Sequence, residues 1–164
     1  MESGAIAKKL ESEYPEPSLH LNNELQKQMQ AVSGKLIFPM VPWFMLRVYS
    51  HLITEEEKNW FRADRERRAG MSLEQWESEK GGEVAWKAAE PGFQLFEKLL
   101  REHKRDQGPF ILGSEVCYAD LMAASLAEFY RRIEQNAYER LTGAVGGLKE
   151  LCEACSPWFE RNNY

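Results

Sequence analysis

The sequence predicts an all-α protein, and three observations support this fold class. Apolar residues recur at helical spacing along most of the chain, while the apolar-polar alternation of a half-buried strand is almost absent. Residues that cap helix N-termini precede several of these apolar runs. The composition, 43% hydrophobic and 29% charged over 164 residues, is that of one globular domain of ordinary size. We therefore expect a single helical bundle.

The N-terminal part predicts a short helix and a linker. Ser3 can cap a helix in which every fourth residue is apolar: Ile6, Leu10 and Tyr14. Prolines 15 and 17 prevent this helix from continuing, so residues 15–21 are predicted to be an extended linker.

A long helix is predicted next. Asn22 and Asn23 are its candidate caps, and its apolar stripe consists of Leu25, Met29, Val32 and Leu36. Pro39 and Pro42 predict a kink, after which the helix continues to about Ile53.

Two capping boxes follow in the sequence. Thr54 with Glu57 predicts the start of a charged helix that Gly70 can end in a left-handed conformation. Ser72 with Gln75 repeats the same spacing before a shorter helix.

The remaining helices are predicted at residues 83–103, from residue 118 onward, and, less regularly, at 138–141 and 148–154. Pro91 predicts an irregularity within the first of these. At the start of the second, Cys117 occupies the N-cap position and Asp120 the third helical position. There the Asp120 carboxylate can accept hydrogen bonds from free amides at the positive end of the helix dipole. We assign Cys117 and Asp120 a structural capping role.

Charge and cysteine content exclude several classes of partner. The net charge of -5 provides no general attraction for nucleic acids or anionic membranes. Three cysteines without a secretory signal favour a reducing, cytoplasmic location. The longest apolar stretch, residues 36–46, is too short to cross a bilayer, so no membrane span is predicted.

Three segments carry a resemblance to a known family. They are "WFRADRERRAGMSLEQW" at 60–76, "GPFILG" with "YADLMAASLAEFYRRI" within 108–133, and "CSPWFERN" at 155–162. The chain resembles the C-terminal helical domain of glutathione transferases, and most closely the fungal enzymes related to bacterial β-etherases. The family usually has Ser or Thr at the cap, so Cys117 departs from its pattern.

The resemblance implies a domain arrangement and a ligand. Residues 1–14 resemble the last helix of the family's thioredoxin-like domain, 15–21 the linker, and 22–164 the helical domain. Glu2 and Ser3 correspond to the pair that binds the γ-glutamyl end of glutathione, the expected co-substrate. For Ser3, simple helix capping is the alternative. The group that activates the glutathione thiol belongs to the thioredoxin-like domain, so no catalytic residue is predicted here.

The resemblance also implies a pocket for an electrophilic, aromatic substrate, between helices equivalent to 36–53 and 118–132. Met40, Trp43 and Arg47 follow at helical spacing, a face suited to a flat apolar ligand with an anionic tail. Tyr130 is a further candidate. The alternative is that these side chains belong to the core or to a domain interface.

Other patterns carry no site. The basic residues of "RADRERR" alternate with acidic ones, which indicates an ion-paired helix surface. Cys152 and Cys155 form a single CxxC, and the three histidines lack ligand spacing, so no metal site is predicted.

We expect the chain to form the co-substrate pocket of a glutathione transferase, partnered by a thioredoxin-like domain, with a homodimer as a candidate assembly. The alternative function is a noncatalytic helical module that binds a protein or a hydrophobic ligand.

Overall fold

The computed structural model of this protein describes residues 3–21 and 24–159, with Ser3 described only through its backbone. Within these ranges all regular structure is helical except for one isolated bridge between Phe110 and Gly113, which confirms the all-α prediction. The described helices are α1 (Ser3–Glu13), α2 (Glu24–His51), α3 (Glu55–Ala69), α4 (Leu73–Lys80), α5 (Gly82–Glu102), α6 (Tyr118–Ile133), α7 (Gln135–Ala144) and α8 (Leu148–Phe159).

Helices α2 and α5 form the centre of the bundle and share its most extensive contact. Their backbones approach closely at Gly92 of α5, where a Cβ atom would come within 2.9 Å of the Leu36 side chain. A larger residue at position 92 would therefore push the two central helices apart. Helix α6 also packs against α2, and α7 and α8 pack against α6.

Helix α2 continues through Pro39 and Pro42 and ends at His51, two residues before the predicted end. Over its full length this helix is long and apolar enough to cross a membrane by those two criteria alone, although its stretch 36–46 is too short by itself. A core helix meets the same criteria. Its buried stripe, which faces the bundle interior, consists of Leu25, Met29, Val32, Leu36, Met40, Trp43 and Phe44.

Two of the predicted helix ends are confirmed and one helix start differs. Gly70 ends α3 with a φ of 72°, and the Gln75 backbone N–H donates to Ser72 Oγ over 3.1 Å at the start of α4. Thr54 is the N-cap of α3, but its hydroxyl bonds the Glu57 carboxylate at 2.9 Å and makes no bond to the helix backbone. The predicted capping box is therefore not formed at α3. At α4 only its serine half is formed, because the Gln75 side chain donates to Glu79.

The C-terminal half of helix α1 is bonded to the linker that follows it. The Glu11 carboxylate accepts hydrogen bonds from the Ser18 hydroxyl at 2.7 Å and from the Leu19 N–H at 3.0 Å. The predicted stripe of Ile6, Leu10 and Tyr14 is exposed. Asn22 and Asn23 lie outside the described residues, and the domain boundaries at 14 and 21 stay predictions.

Helices α7 and α8 are longer than predicted. Helix α7 spans Gln135–Ala144 rather than residues 138–141, and α8 extends beyond 154 to Phe159 with Pro157 inside it. Three buried apolar side chains, Leu141, Val145 and Leu148, hold the connection between them against the core. Tertiary packing thus stabilises segments whose local sequence pattern is weak.

Candidate functional site

The loop before α6 fixes where that helix begins. Phe110 and Gly113 exchange backbone hydrogen bonds of 2.9 and 3.0 Å, which closes a tight turn. Ile111 and Leu112 within this turn are buried in the core. Gly113 has a φ of 103°, a conformation that side-chain-bearing residues rarely adopt. The turn therefore delivers the chain to the N-terminus of α6 in a fixed position.

Asp120 connects this loop to α6. Its carboxylate accepts the N–H of Ile111 at 2.7 Å and the N–H of Cys117 at 2.8 Å, and its side chain is wholly buried. The capping box predicted for Cys117 and Asp120 is present. Burial raises the pKa of Asp120, while the two amide donors oppose that rise. Asp120 thus has a structural role, as predicted.

An apolar groove of about 570 Å³ lies between α2 and α6. Its described lining residues are Ser33, Ile37, Tyr118, Leu121, Met122, Ser125, Leu126 and Phe129, none of which carries a charge. Phe38, beside Ile37 in the chain, is 77% exposed. The groove offers an apolar surface with hydroxyl groups from two serines and a tyrosine, a composition typical of sites for small apolar ligands.

Three of the predicted pocket residues lie in the core instead of on an open wall. Met40 and Tyr130 are fully buried, and Trp43 is 4% exposed. The Trp43 ring stacks on Tyr130 with centroids 6.5 Å apart and meets Trp86 edge-on at 5.9 Å. The physical reason is that the spacing of Met40 and Trp43 continues the buried stripe of α2. Burial also raises the pKa of Tyr130, whose hydroxyl has no hydrogen-bond partner among the described residues.

The fourth predicted residue, Arg47, is already paired. Its guanidinium lies 4.1 Å from the Trp43 ring centroid, donates to Glu134 at 3.0 Å and forms an ion pair with Glu77. Two carboxylates therefore compensate its charge. This makes Arg47 a poor partner for an anionic ligand tail, the role that the sequence predicted for it.

The groove lies between the two helices for which a pocket was predicted, but none of Met40, Trp43, Arg47 and Tyr130 is among its described lining residues. On α6, Tyr118, Met122, Ser125 and Phe129 share one face, whereas Ala119, Ala123 and Tyr130 face the core. Both faces are apolar at helical spacing. Two features of the sequence could have indicated the groove. One is the second apolar stripe on α6, and the other is Ile37, an apolar residue of α2 outside its buried stripe.

The remaining candidate residues give no further site. Burial raises the pKa of Cys117 and Cys155 to about 12 and that of Cys152 to about 11, so all three are thiols at neutral pH. Among the described residues no group of three His, Cys, Asp or Glu side chains could hold a metal ion. Glu2 and the side chain of Ser3 lie outside the described part of the chain.

The sequence profile of the family described as "Glutathione S-transferase, C-terminal domain" matches residues 25–158. The chain belongs to the glutathione S-transferase family. In this C-terminal domain the profile spans α2 to α8, so the loop, the Asp120 cap and the groove all fall inside the matched region.

The fold of this domain is also similar to a solved structure, that of glutathione transferase GSTFuA3 from Phanerochaete chrysosporium. The match has a TM-score of 0.73 and 29% sequence identity, and it covers 96% of this chain. The chain spans 64% of the length of that protein. A comparison with curated proteins gave no match.

Proposed function

We propose that this chain forms the co-substrate pocket of a glutathione transferase, which adds the glutathione thiolate to an apolar electrophile or cleaves such a compound with it. The observation that carries this proposal is the apolar groove between α2 and α6. Family membership supports the reaction, and the uncharged lining of the groove supports an apolar, aromatic co-substrate.

The chain's own residues would bind and orient this co-substrate. Ile37, Met122 and Phe129 would contact its apolar body, and the hydroxyl groups of Ser33 and Tyr118 would fix its orientation. Asp120 holds the N-terminal turn of α6 against the preceding loop, which fixes the position of Tyr118. Such fixed positioning is what a binding wall contributes to catalysis.

The thiolate of glutathione would be stabilised by a partner domain. A thiol with a pKa of about 8.5 is largely protonated at neutral pH and needs a donor directed at its sulfur. Cys117 and Tyr130 are buried and their pKa values are raised, so neither can serve. We assign this role to a thioredoxin-like domain, and contact with the γ-glutamyl end of glutathione to Glu2 and Ser3.

The same partner domain would cover apolar side chains that are now exposed. On α1, Ile6, Leu10 and Tyr14 are 44%, 51% and 70% exposed, at a spacing that places them on one face. Because exposed apolar stripes of this kind mark interaction surfaces, we propose that the rest of the thioredoxin-like domain packs there. A cytoplasmic location fits the three free cysteines. Pairing with a second copy stays a prediction.

The groove can be tested with a fluorescent apolar anion such as anilinonaphthalene sulfonate. We expect the chain to bind this dye, and we expect Ile37→Asp with Met122→Asp to weaken binding at least tenfold, because charges would enter the apolar lining. Val84→Asp is the matched control, since Val84 is an apolar residue of α5 that is 61% exposed and outside the groove. Equal affinity in all three proteins would contradict the proposal.

Catalysis by residues 1–164 alone is a separate test. We expect no conjugation of glutathione above the uncatalysed rate, because the candidate thiol and phenol groups are buried and protonated. The noncatalytic alternative shares this expectation, so the experiment is repeated with a thioredoxin-like transferase domain joined before residue 1. Turnover in that fusion would favour the transferase. Turnover by residues 1–164 that is lost in Cys117→Ala would show that the chain activates thiols itself.

A further inference from the structure

A second, chemically different cleft lies where the first turns of α5 and α7 meet α2. Its volume is about 210 Å³. Its described lining residues are Trp43, Gly82, Glu83, Trp86, Glu134, Asn136, Ala137 and Arg140. None of these residues lines the α2–α6 groove, so the two clefts are separate.

Both indole rings of this cleft already carry an organic cation. The Arg47 guanidinium lies 4.1 Å from the Trp43 ring centroid, and the Arg140 guanidinium lies 4.3 Å from the Trp86 centroid. A cation over an indole face is attracted by the negative face of the ring, and tryptophan is the strongest aromatic partner for this contact. The aromatic surfaces of the cleft are thus arranged to bind cations.

The ion-paired groups around the cleft carry a net negative charge. Arg47 pairs with Glu77 and Glu134, and Arg140 pairs with Glu83. Three carboxylates therefore face two guanidinium groups, and one negative charge is left uncompensated within this set. This negative charge attracts a monovalent cation, whether the cation joins the two guanidinium groups or replaces one of them, and it repels an anion.

The two arginines differ in how firmly they are held. Arg47 is 24% exposed and also donates to the Trp43 carbonyl at 3.1 Å, so two carboxylates and a backbone oxygen fix it. Arg140 is 44% exposed and its partner Glu83 is 81% exposed. Because solvent weakens an exposed ion pair, Arg140 is the easier of the two arginines to displace from its tryptophan ring.

We propose that this cleft binds a small organic monocation with an alkylammonium head. The head displaces the Arg140 guanidinium, lies over the Trp86 ring and takes its place between the Glu83 and Glu134 carboxylates. A quaternary ammonium suits the site because it is bulky enough to cover the indole and is the type of cation that aromatic cages recognise.

Choline and tetramethylammonium are suitable probes, with uncharged 3,3-dimethyl-1-butanol as the isostere of choline. Binding is measured from the chemical shift of the Trp86 indole N–H during titration of residues 1–164. We expect saturable shifts with both cations at millimolar concentration and none with the alcohol. Equal binding of choline and the alcohol would overturn the proposal, because the site would then recognise shape and not charge.

Two variants test the displacement step. Arg140→Ala removes the guanidinium that competes for Trp86, so we expect choline to bind at least threefold more tightly. Glu83→Gln removes a carboxylate, and we expect at least threefold weaker binding. Arg105→Ala is the control, since Arg105 forms an exposed ion pair with Glu115 away from the cleft. Unchanged affinity in both cleft variants would overturn the proposal.

Discussion

The first turns of α6 and α3 carry the same type of sequence pattern and use it differently. Cys117 with Asp120 and Thr54 with Glu57 both place an acid three residues after a candidate cap. At α6 the acid is buried and accepts two backbone N–H groups. At α3 the Glu57 carboxylate accepts the Thr54 hydroxyl instead, and both residues are exposed.

The difference shows that burial decides what a capping pattern contributes. The amides of Ile111 and Cys117 are enclosed with Asp120, so no solvent can replace the carboxylate as their acceptor. The first amides of α3 lie at an exposed helix end, where water can satisfy them. The same spacing of cap residue and acid therefore produces an essential contact at α6 and a minor one at α3.

The largest effect is expected for Asp120→Ala. This change leaves two buried amides without an acceptor and detaches the loop of Ile111 from α6, and each unpaired group costs about 1 to 3 kcal/mol. We expect the free energy of unfolding to fall by about 3 kcal/mol, which chemical denaturation measures. A variant as stable as the parent protein would contradict the role assigned to Asp120.

The sequence predicted this contact because a capping box is local. The amide of Cys117 and the carboxylate of Asp120 lie three residues apart, so the spacing alone brings them together. The same holds for Gly70 and Ser72, whose roles at helix ends depend on neighbouring residues only. Most of the helical fold could be predicted in this way.

The pocket residues could not be predicted because they depend on contacts that are distant in sequence. Arg47 bonds Glu77 and Glu134, which are 30 and 87 residues away. Because these carboxylates neutralise its charge, Arg47 is a poor partner for an anionic ligand. Similarly, α6 has two apolar faces, and only packing against α2 determines which one contains Tyr130 and which one contains Phe129. Helical spacing by itself does not distinguish a core stripe from a groove.

The reactivity of the Cys117 thiol is a second measure of how well the N-terminus of α6 is shielded from solvent. Burial and the Asp120 charge raise the pKa of Cys117 to about 12, so at pH 8 its thiolate fraction is very small and modification is slow. In Asp120→Ala we expect the modification rate of Cys117, followed by mass spectrometry, to rise at least tenfold. Cys152, whose pKa is raised to about 11 mainly by burial, is the internal reference and should be unchanged. An equal rise at both cysteines would indicate general unfolding.

Ser72→Ala tests a cap of intermediate strength. The Ser72 hydroxyl accepts the Gln75 N–H at 3.1 Å, but the pair is exposed and water can partly replace it. We expect the free energy of unfolding to fall by about 1 kcal/mol, the typical cost of losing an N-cap side chain. Ser50→Ala is a suitable control, because Ser50 is an exposed helix residue whose hydroxyl donates to the Leu46 carbonyl and caps nothing. An equal loss in both variants would assign the effect to serine removal in general.

The smallest effect is expected for Thr54→Ala. Thr54 has the backbone conformation of an N-cap, yet its hydroxyl bonds Glu57 and leaves the first amides of α3 to solvent. Substitution therefore removes one exposed side-chain contact, and we expect a loss below about 0.5 kcal/mol in the free energy of unfolding. Thr54→Asn offers a stronger acceptor, and we expect it to stabilise the protein by a few tenths of a kcal/mol, roughly the difference between the two residues as caps. A loss in Thr54→Ala as large as that in Ser72→Ala would mean that the α3 cap contributes as fully as the α4 cap, and the distinction drawn from the hydrogen bonds would fail.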